Sequence, residues 1–234
     1  MKLGILECDD VNPSLVETYG SYPQMFMKAF LSIDPLMTFR VYRAHCNELP
    51  EDSGECDAYL ITGSKVSAYE QLGWISSLEL WIQALAKTGK KLLGICFGHQ
   101  VIAQAMGGVV EKSEKGWGVG QYTNEIIKSD IWMVPEKKQL NLLVSHQDQV
   151  LQLPENVEVI AGSPFCPNFL LQYNEQFLTV QGHPEFSKEY SAALMEHRRG
   201  AIIPEDTVRA ALVSLQQKVD SQLMIQWMRQ FLVS

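Results

Sequence analysis

The sequence predicts an α/β fold: a mostly parallel central sheet flanked by helices on both faces, with a smaller additional β portion. Three observations lead there. Short apolar runs alternate with stretches of helical periodicity through the first half of the chain. After residue 107 the runs are strand-like and succeed one another without helices. Helical patterns then return near the C-terminus.

Each element has its own signal. KLGILE (2–7) is the first expected strand, and MTFRVY (37–42) the second, after a helix near 22–32. AYLITG (58–63) and KKLLGI (90–95) are the third and fourth. Between them Trp74, Ile75, Leu78, Trp81, Ile82 and Leu85 recur at helical spacing, a packing stripe. A helix over 97–106 comes next. GGVVEK, GQYTNEII, LNLLVSH, VEVIAG, NFLLQY and QFLTVQG form the strand-like portion, and helices are expected at 187–199, 205–218 and 221–232. No internal repeat, low-complexity segment or Gly/Ser-rich linker divides the chain, so residues 1–234 are expected to form one domain.

Composition narrows the function classes. The 234 residues are 46% hydrophobic and 20% charged, an ordinary globular balance. Nineteen basic against 27 acidic residues give a net charge of −8, and no basic cluster suggests nucleic acid as a partner. The five cysteines, Cys8, Cys46, Cys56, Cys96 and Cys166, are odd in number and include no Cys-x-x-Cys pair. Neither a disulfide framework nor a structural zinc site is expected, and reduced thiols point to a cytoplasmic location. The start, MKLGILECDD, turns acidic within ten residues and lacks the apolar core of a signal peptide. No apolar run approaches the ~20 residues that span a bilayer, so no membrane partner is expected.

The segment Gly94-Ile95-Cys96-Phe97-Gly98-His99-Gln100 places a thiol between two glycines where a strand ends and a helix begins. Buried cysteines are often only small hydrophobes. Flanking glycines, however, are what a sharp strand-to-helix turn needs when it holds a nucleophile beyond a sheet edge. Gly63 and Cys96 both end expected strands, so both belong on the carboxyl rim where ligands gather in such sheets.

A cysteine nucleophile requires a base and a group that orients it. Of the five histidines, His183 stands in Gln181-Gly182-His183-Pro184-Glu185-Phe186, directly after the apolar FLTV. Pro184 biases His183 towards an extended conformation, which would put His183 and Glu185 on one side of the chain. The carboxylate would then accept the second imidazole N–H. Cys96, His183 and Glu185 thus form a candidate Cys-His-Glu triad. His45 and His197 read as surface residues, and His99 as a capping or packing residue on the helix after Cys96.

GICFGHQ, SHQD and GHPEF together resemble the class I, triad-type glutamine amidotransferases, over nearly the whole chain to about residue 190. Within that family LITGSKVSAYEQLGWI, GICFGHQVIAQAMGG, GWGVG, SHQDQVLQLP and QGHPEF look most like the stand-alone GMP-synthase-like members, which include the plant γ-glutamyl peptidases. The resemblance implies a flavodoxin-like fold. It implies Cys96 as nucleophile, His183 as base and acid, and Glu185 as orienting carboxylate. It implies an oxyanion hole from the backbone N–H groups of Gly63 and Phe97. Gln100 would contact bound glutamine, and Ser145, His146 and Gln147 would clasp its α-amino and α-carboxyl end. Phe97 stands where many members have Tyr, and TGSKVSAY replaces their Gly-Gly-Pro turn, which leaves the roles of Ser64 and Lys65 open.

The triad and the resemblance together imply a hydrolase that cleaves the γ-amide of glutamine or of a small γ-glutamyl compound. The route would be a γ-glutamyl thioester, with no metal and no cofactor. No P-loop is present to activate an acceptor with ATP. Two alternatives stand beside it: a glutaminase subunit that delivers ammonia to a separate synthase, and a catalytically silent regulatory binding module.

Overall fold

The computed structural model describes all residues, 1–234. The first strands and helices fall where apolar periodicity puts them: β1 (Lys2–Leu6), α2 (Tyr22–Leu31), β2 (Thr38–Tyr42), β3 (Ala58–Ile61), α3 (Gly73–Leu85), β4 (Lys91–Ile95) and α4 (Phe97–Ala105). The later strands are β5 (Val109–Lys112), β6 (Gly118–Ile126), β7 (Gln139–His146), β8 (Asp148–Gln152), β9 (Val157–Gly162), β10 (Leu170–Tyr173) and β11 (Phe177–Val180). Three helices close the chain: α5 (Lys188–Arg198), α6 (Glu205–Ser214) and α7 (Ser221–Phe231).

Two elements lack a signal in the sequence. Helix α1 (Pro13–Tyr19) has no fully buried residue, and Leu15 and Tyr19, half-buried against the core, are too short a stripe to mark it. Strand β8 starts two residues after the end of β7, inside SHQDQVLQLP, where no strand is expected.

Nine strands make one sheet in the order β2-β1-β3-β4-β11-β10-β9-β6-β7. The half from β2 to β11 is parallel, as expected, with β4 paired to β3 and β11. The half from β11 to β7 is antiparallel. Most of the additional β portion therefore extends the main sheet, and only β5 and β8 form a separate two-stranded ribbon. Periodicity marks a strand but not its partner, which tertiary packing selects.

Alternation along the strands loads both faces. Leu93 and Ile95 of β4 pack with Phe26 and Phe30 of α2 and Trp227 and Met228 of α7. Leu92 points the other way, into a cluster with Leu78 and Ile82 of α3 and Val101 of α4. A third cluster joins Leu143 of β7, Phe186, and Tyr190 and Leu194 of α5. Because β3, β4 and β11 are neighbours, their carboxyl ends bring Gly63, Cys96 and His183 to one rim.

Candidate functional site

The rim is organised by a turn that few sequence patterns tolerate. Cys96 links β4 directly to α4 with φ 51 and ψ −98, a backbone conformation that side-chain-bearing residues rarely adopt. Its N–H is fixed by Val180 O at 2.9 Å. A Cβ on Gly94 would lie 2.7 Å from Gly98 O, and one on Gly98 would strike the Ile61 carbonyl. Both glycines are thus required by close backbone approach around the thiol. All five cysteines are free, and Cys96 itself is buried.

His183 and Glu185 lie behind the thiol, both buried. His183 is extended, as Pro184 favours: it bridges to Leu143, and its N–H donates to Leu143 O at 2.8 Å. The chain then turns at Pro184–Glu185 instead of continuing straight. The contact forms nonetheless, with His183 Nδ1 2.7 Å from Glu185 Oε1. Phe186 stacks on the imidazole at 3.9 Å between ring centroids and holds its plane. Burial alone would lower the His183 pKa; the Glu185 carboxylate and the Cys96 sulfur outweigh it and raise the value.

Gly63 touches both partners. A Cβ there would sit 3.0 Å from His183 Cε1 and 3.7 Å from Cys96 Cβ. The Gly63 N–H has no hydrogen-bond partner within the protein. Phe97 opens α4, so its N–H is among the terminal donors a helix leaves without an intrahelical acceptor.

The expected substrate-binding residues border a cleft of about 720 Å³, which Cys96, Gln100, Ser145, His146 and Gln147 all line. Ser145 Oγ accepts from Arg198 Nη1 at 3.1 Å. Gln147 O accepts from Ser113 N at 3.1 Å. His146 Nδ1 lies 3.0 Å from Asp148 O, and burial lowers this imidazole's pKa to about 4. The Asp148 carboxylate accepts from Ser67 Oγ at 2.5 Å and Tyr69 OH at 3.2 Å, tying the loop after Gly63 to the far wall. Lys65 ion-pairs with Asp9 at 2.6 Å on the rim.

Gln181, at the centre of the site, carried no signal of its own in the sequence. It is fully buried, and its Nε2 lies 3.5 Å from Cys96 Sγ. Gln100 Nε2 donates to Gln181 Oε1 at 3.0 Å and to Asp148 O at 2.9 Å, which turns the Gln181 NH₂ towards the sulfur. Its position two residues before His183, at the end of a buried strand, is the one feature that could have marked it.

The other histidines stand apart. His99 packs in the core with Nδ1 2.8 Å from Thr179 Oγ1, and burial lowers its pKa to about 3. His45 Nδ1 lies 2.8 Å from Glu7 O, and His197, exposed on the cleft rim, lies 2.9 Å from Asn12 Nδ2. No group of three His, Cys, Asp or Glu side chains converges as a metal site, and no helix is long and apolar enough to cross a membrane.

Known proteins resemble the chain in sequence and in fold. The family model "Glutamine amidotransferase class-I" matches residues 14–198. The chain is 34% identical to gamma-glutamyl peptidase 4 of Arabidopsis thaliana over 182 residues, 74% of this chain and 71% of the relative. It is 38% identical to the glutamine-hydrolysing GMP synthase of Aquifex aeolicus over 110 residues, 44% of this chain but 21% of that protein. A glutamine amidotransferase structure from Thermotoga maritima superposes with a TM-score of 0.79 at 19% identity, covering 99% of each chain. The chain belongs to the class-I glutamine amidotransferase family.

Proposed function

We propose that the chain hydrolyses the γ-amide bond of glutamine or of a small γ-glutamyl peptide, with Cys96 as nucleophile, His183 as acid and base, and Glu185 as the orienting carboxylate. The observation that carries this reading is the convergence of three features. The strained Cys96 turn presents the thiol to the cleft, Gln181 Nε2 faces its sulfur at 3.5 Å, and His183 is held by Glu185 at 2.7 Å immediately behind.

Cys96 Sγ attacks the γ-carbonyl carbon. The oxyanion that forms is stabilised by the Gly63 and Phe97 N–H groups, each donor of this kind being worth about 3 kcal/mol in the transition state. The carbon–nitrogen bond breaks as His183 gives its proton to the departing nitrogen. A water molecule then adds to the γ-glutamyl thioester, passing a proton to His183, and the thiol is released with glutamate. With Nδ1 occupied by Glu185, only Nε2 is available for these transfers. Ser145, His146 and Gln147 hold the glutamyl head at the cleft wall, and Gln100 braces that wall through Asp148 O.

A glutaminase subunit serving a separate synthase is the second reading, and the match to about a fifth of a GMP synthase favours it. The γ-glutamyl peptidase relative favours hydrolysis without a partner. One experiment separates them. The purified chain is offered glutamine and γ-glutamyl dipeptides without ATP, and a glutamine-analogue electrophile is used to label its nucleophile. Dipeptide turnover, with labelling and turnover both lost in Cys96→Ala, supports the hydrolase. Activity that appears only when a synthase is added supports the subunit. No labelling and no turnover in either case leaves the silent binding module.

A further inference from the structure

The turn after β3 keeps a buried main-chain donor open. Thr62, Lys65, Val66 and Ser67 give their N–H groups to Leu6 O, Asp9 Oδ2, Ser64 Oγ and Glu70 Oε1. Gly63 and the half-buried Ser64 donate to nothing in the protein, and Gly63 is buried. An unpaired N–H away from water is rare and costly, so this one points to a ligand atom. Yet nothing in the local sequence stiffens the turn. Gly63 has no Cβ to limit its backbone, and no proline stands between Thr62 and Leu72.

The stiffness comes from Cys8 and Asp9, just beyond the neighbouring strand β1. The Cys8 N–H donates to Thr62 Oγ1 at 2.9 Å, and that hydroxyl donates in turn to Gly63 O at 3.1 Å. Thr62 is fully buried, so no water competes for its hydroxyl. Asp9 Oδ2 accepts the Lys65 N–H at 3.0 Å, and Asp9 Oδ1 is itself held by the Asp10 N–H at 2.9 Å. The peptide units before and after the one that bears the Gly63 N–H are therefore both tied to the end of β1.

Of the two contacts between Asp9 and Lys65, the main-chain one carries the restraint. The Lys65 ammonium reaches Oδ1 at 2.6 Å, but its side chain is 66% exposed, and an ion pair in water contributes little. Asp148 pins the same loop further on, through Ser67 and Tyr69. Each intervening residue adds two soft dihedrals, so Thr62 and Asp9 govern Gly63 and Asp148 does not.

We propose that Thr62 and Asp9 are positioning residues for the Gly63 N–H, clamping it where it meets the developing oxyanion. They touch no reacting atom. The inference rests on the hydrolase reading above and adds two residues to it. A donor serves an oxyanion only if it stands in place when the charge develops. Loosening it therefore weakens transition-state binding and leaves substrate binding alone.

The test measures kcat, KM and Cys96 alkylation in Asp9→Ala, with glutamine and γ-glutamyl dipeptides as substrates. Turnover should fall by about ten- to hundred-fold, less than the loss of a whole donor, with KM within about two-fold of wild type. Iodoacetamide reacts at a saturated carbon and builds no oxyanion, so the rate of Cys96 alkylation should not change. Thr62→Val, which removes only the hydroxyl, should repeat this pattern, and Thr62→Ser should recover most of the turnover. Lys65→Met keeps the main-chain N–H and loses the exposed ammonium, so its kcat should stay within about two-fold of wild type. An unchanged kcat in Asp9→Ala, a matched loss of turnover and alkylation, or Lys65→Met as impaired as Asp9→Ala overturns the proposal. The order parameter of the Gly63 amide, from nitrogen relaxation, needs no turnover. It should be about 0.85 in wild type and clearly lower in Asp9→Ala. That result with an inactive wild type would sink the hydrolase reading and leave the clamp standing. An amide equally rigid in both proteins would overturn the clamp, whatever the activity.

Discussion

The side-chain amide of Gln181 faces the sulfur of Cys96 at 3.5 Å, and the amide's orientation is set by Gln100, which donates to its oxygen at 3.0 Å. A donor fixed beside the sulfur holds the thiol in place for attack. Gln181→Leu, which keeps most of the volume and removes the NH₂, is therefore expected to lower turnover by about ten-fold, the size of one lost hydrogen bond to a charged group, while the urea midpoint changes little. Steady-state kinetics and urea unfolding of the variant read both. Unchanged turnover, or a loss of turnover matched by a loss of stability, would show that Gln181 only packs.

The glycines at 98 and 63 are expected to fail in different ways. At Gly98 an added Cβ meets the Ile61 carbonyl, which is backbone and cannot swing aside. Gly98→Ala should cost about 1–3 kcal/mol of stability, read from the urea midpoint. At Gly63 the added Cβ meets His183 Cε1 at 3.0 Å and Cys96 Cβ at 3.7 Å. Gly63→Ala should displace those side chains and lower kcat by up to about a hundred-fold while the urea midpoint moves little. The reverse pattern would place the oxyanion turn elsewhere.

How much of this was legible in sequence depended on whether the signal was local. The Gly94–Gly98 spacing announces the turn because close backbone approach leaves no room for a Cβ, and the backbone at Cys96 bears it out. Leu78 and Ile82 of α3 announce their burial by helical period. Helix α1 could not announce itself, since only Leu15 and Tyr19 of its seven residues are half-buried. Nor could the pairing of β11 between β4 and β10, since β4 lies far from β11 in sequence. Gln181 and Arg198 were illegible for the same reason. Their partners, Cys96 and Ser145, are brought to them by sheet order and by the docking of α5, which no local pattern encodes; only the place of Gln181 two residues before His183 hints at its role.

Two buried imidazoles give stability a pH dependence in a defined window. His99 and His146 are held neutral by burial, with pKa values of about 3 and about 4 against 6.5 for a free imidazole. Below pH 6.5 the unfolded chain takes up two protons that the folded chain refuses until pH approaches 4 and then 3. Their contribution is thus fully present above pH 6.5 and is lost as pH falls, at up to about 1.4 kcal/mol per pH unit for each histidine. The raised His183 adds no slope well below pH 6.5, where both states carry its proton. Urea midpoints should fall with a slope that approaches two protons as pH drops from about 6 to 5, and His99→Gln should remove one proton from it. An unchanged slope in that variant would mean that His99 is not buried neutral.

Glu185 separates an orienting role from a packing one. Its side chain is fully buried, with Oε1 2.7 Å from His183 Nδ1 and Oε2 without a hydrogen-bond partner. The fold therefore holds a carboxylate away from water for the sake of one imidazole contact. Replacing it by Gln keeps the volume, so Phe186 can still stack on His183 and the urea midpoint should change little. The amide, however, can offer its NH₂ to Nδ1, which stabilises the tautomer with the proton on Nε2 and removes the base that the thiol needs. It also takes away the negative charge that raises the His183 pKa, so the imidazolium is lost as pH rises through a lower value. Turnover by Glu185→Gln should fall by roughly three to four orders of magnitude, with the remaining activity confined to lower pH than in wild type. Steady-state kinetics from about pH 6 to 9 would show both effects, and near-wild-type turnover would mean that another group orients His183.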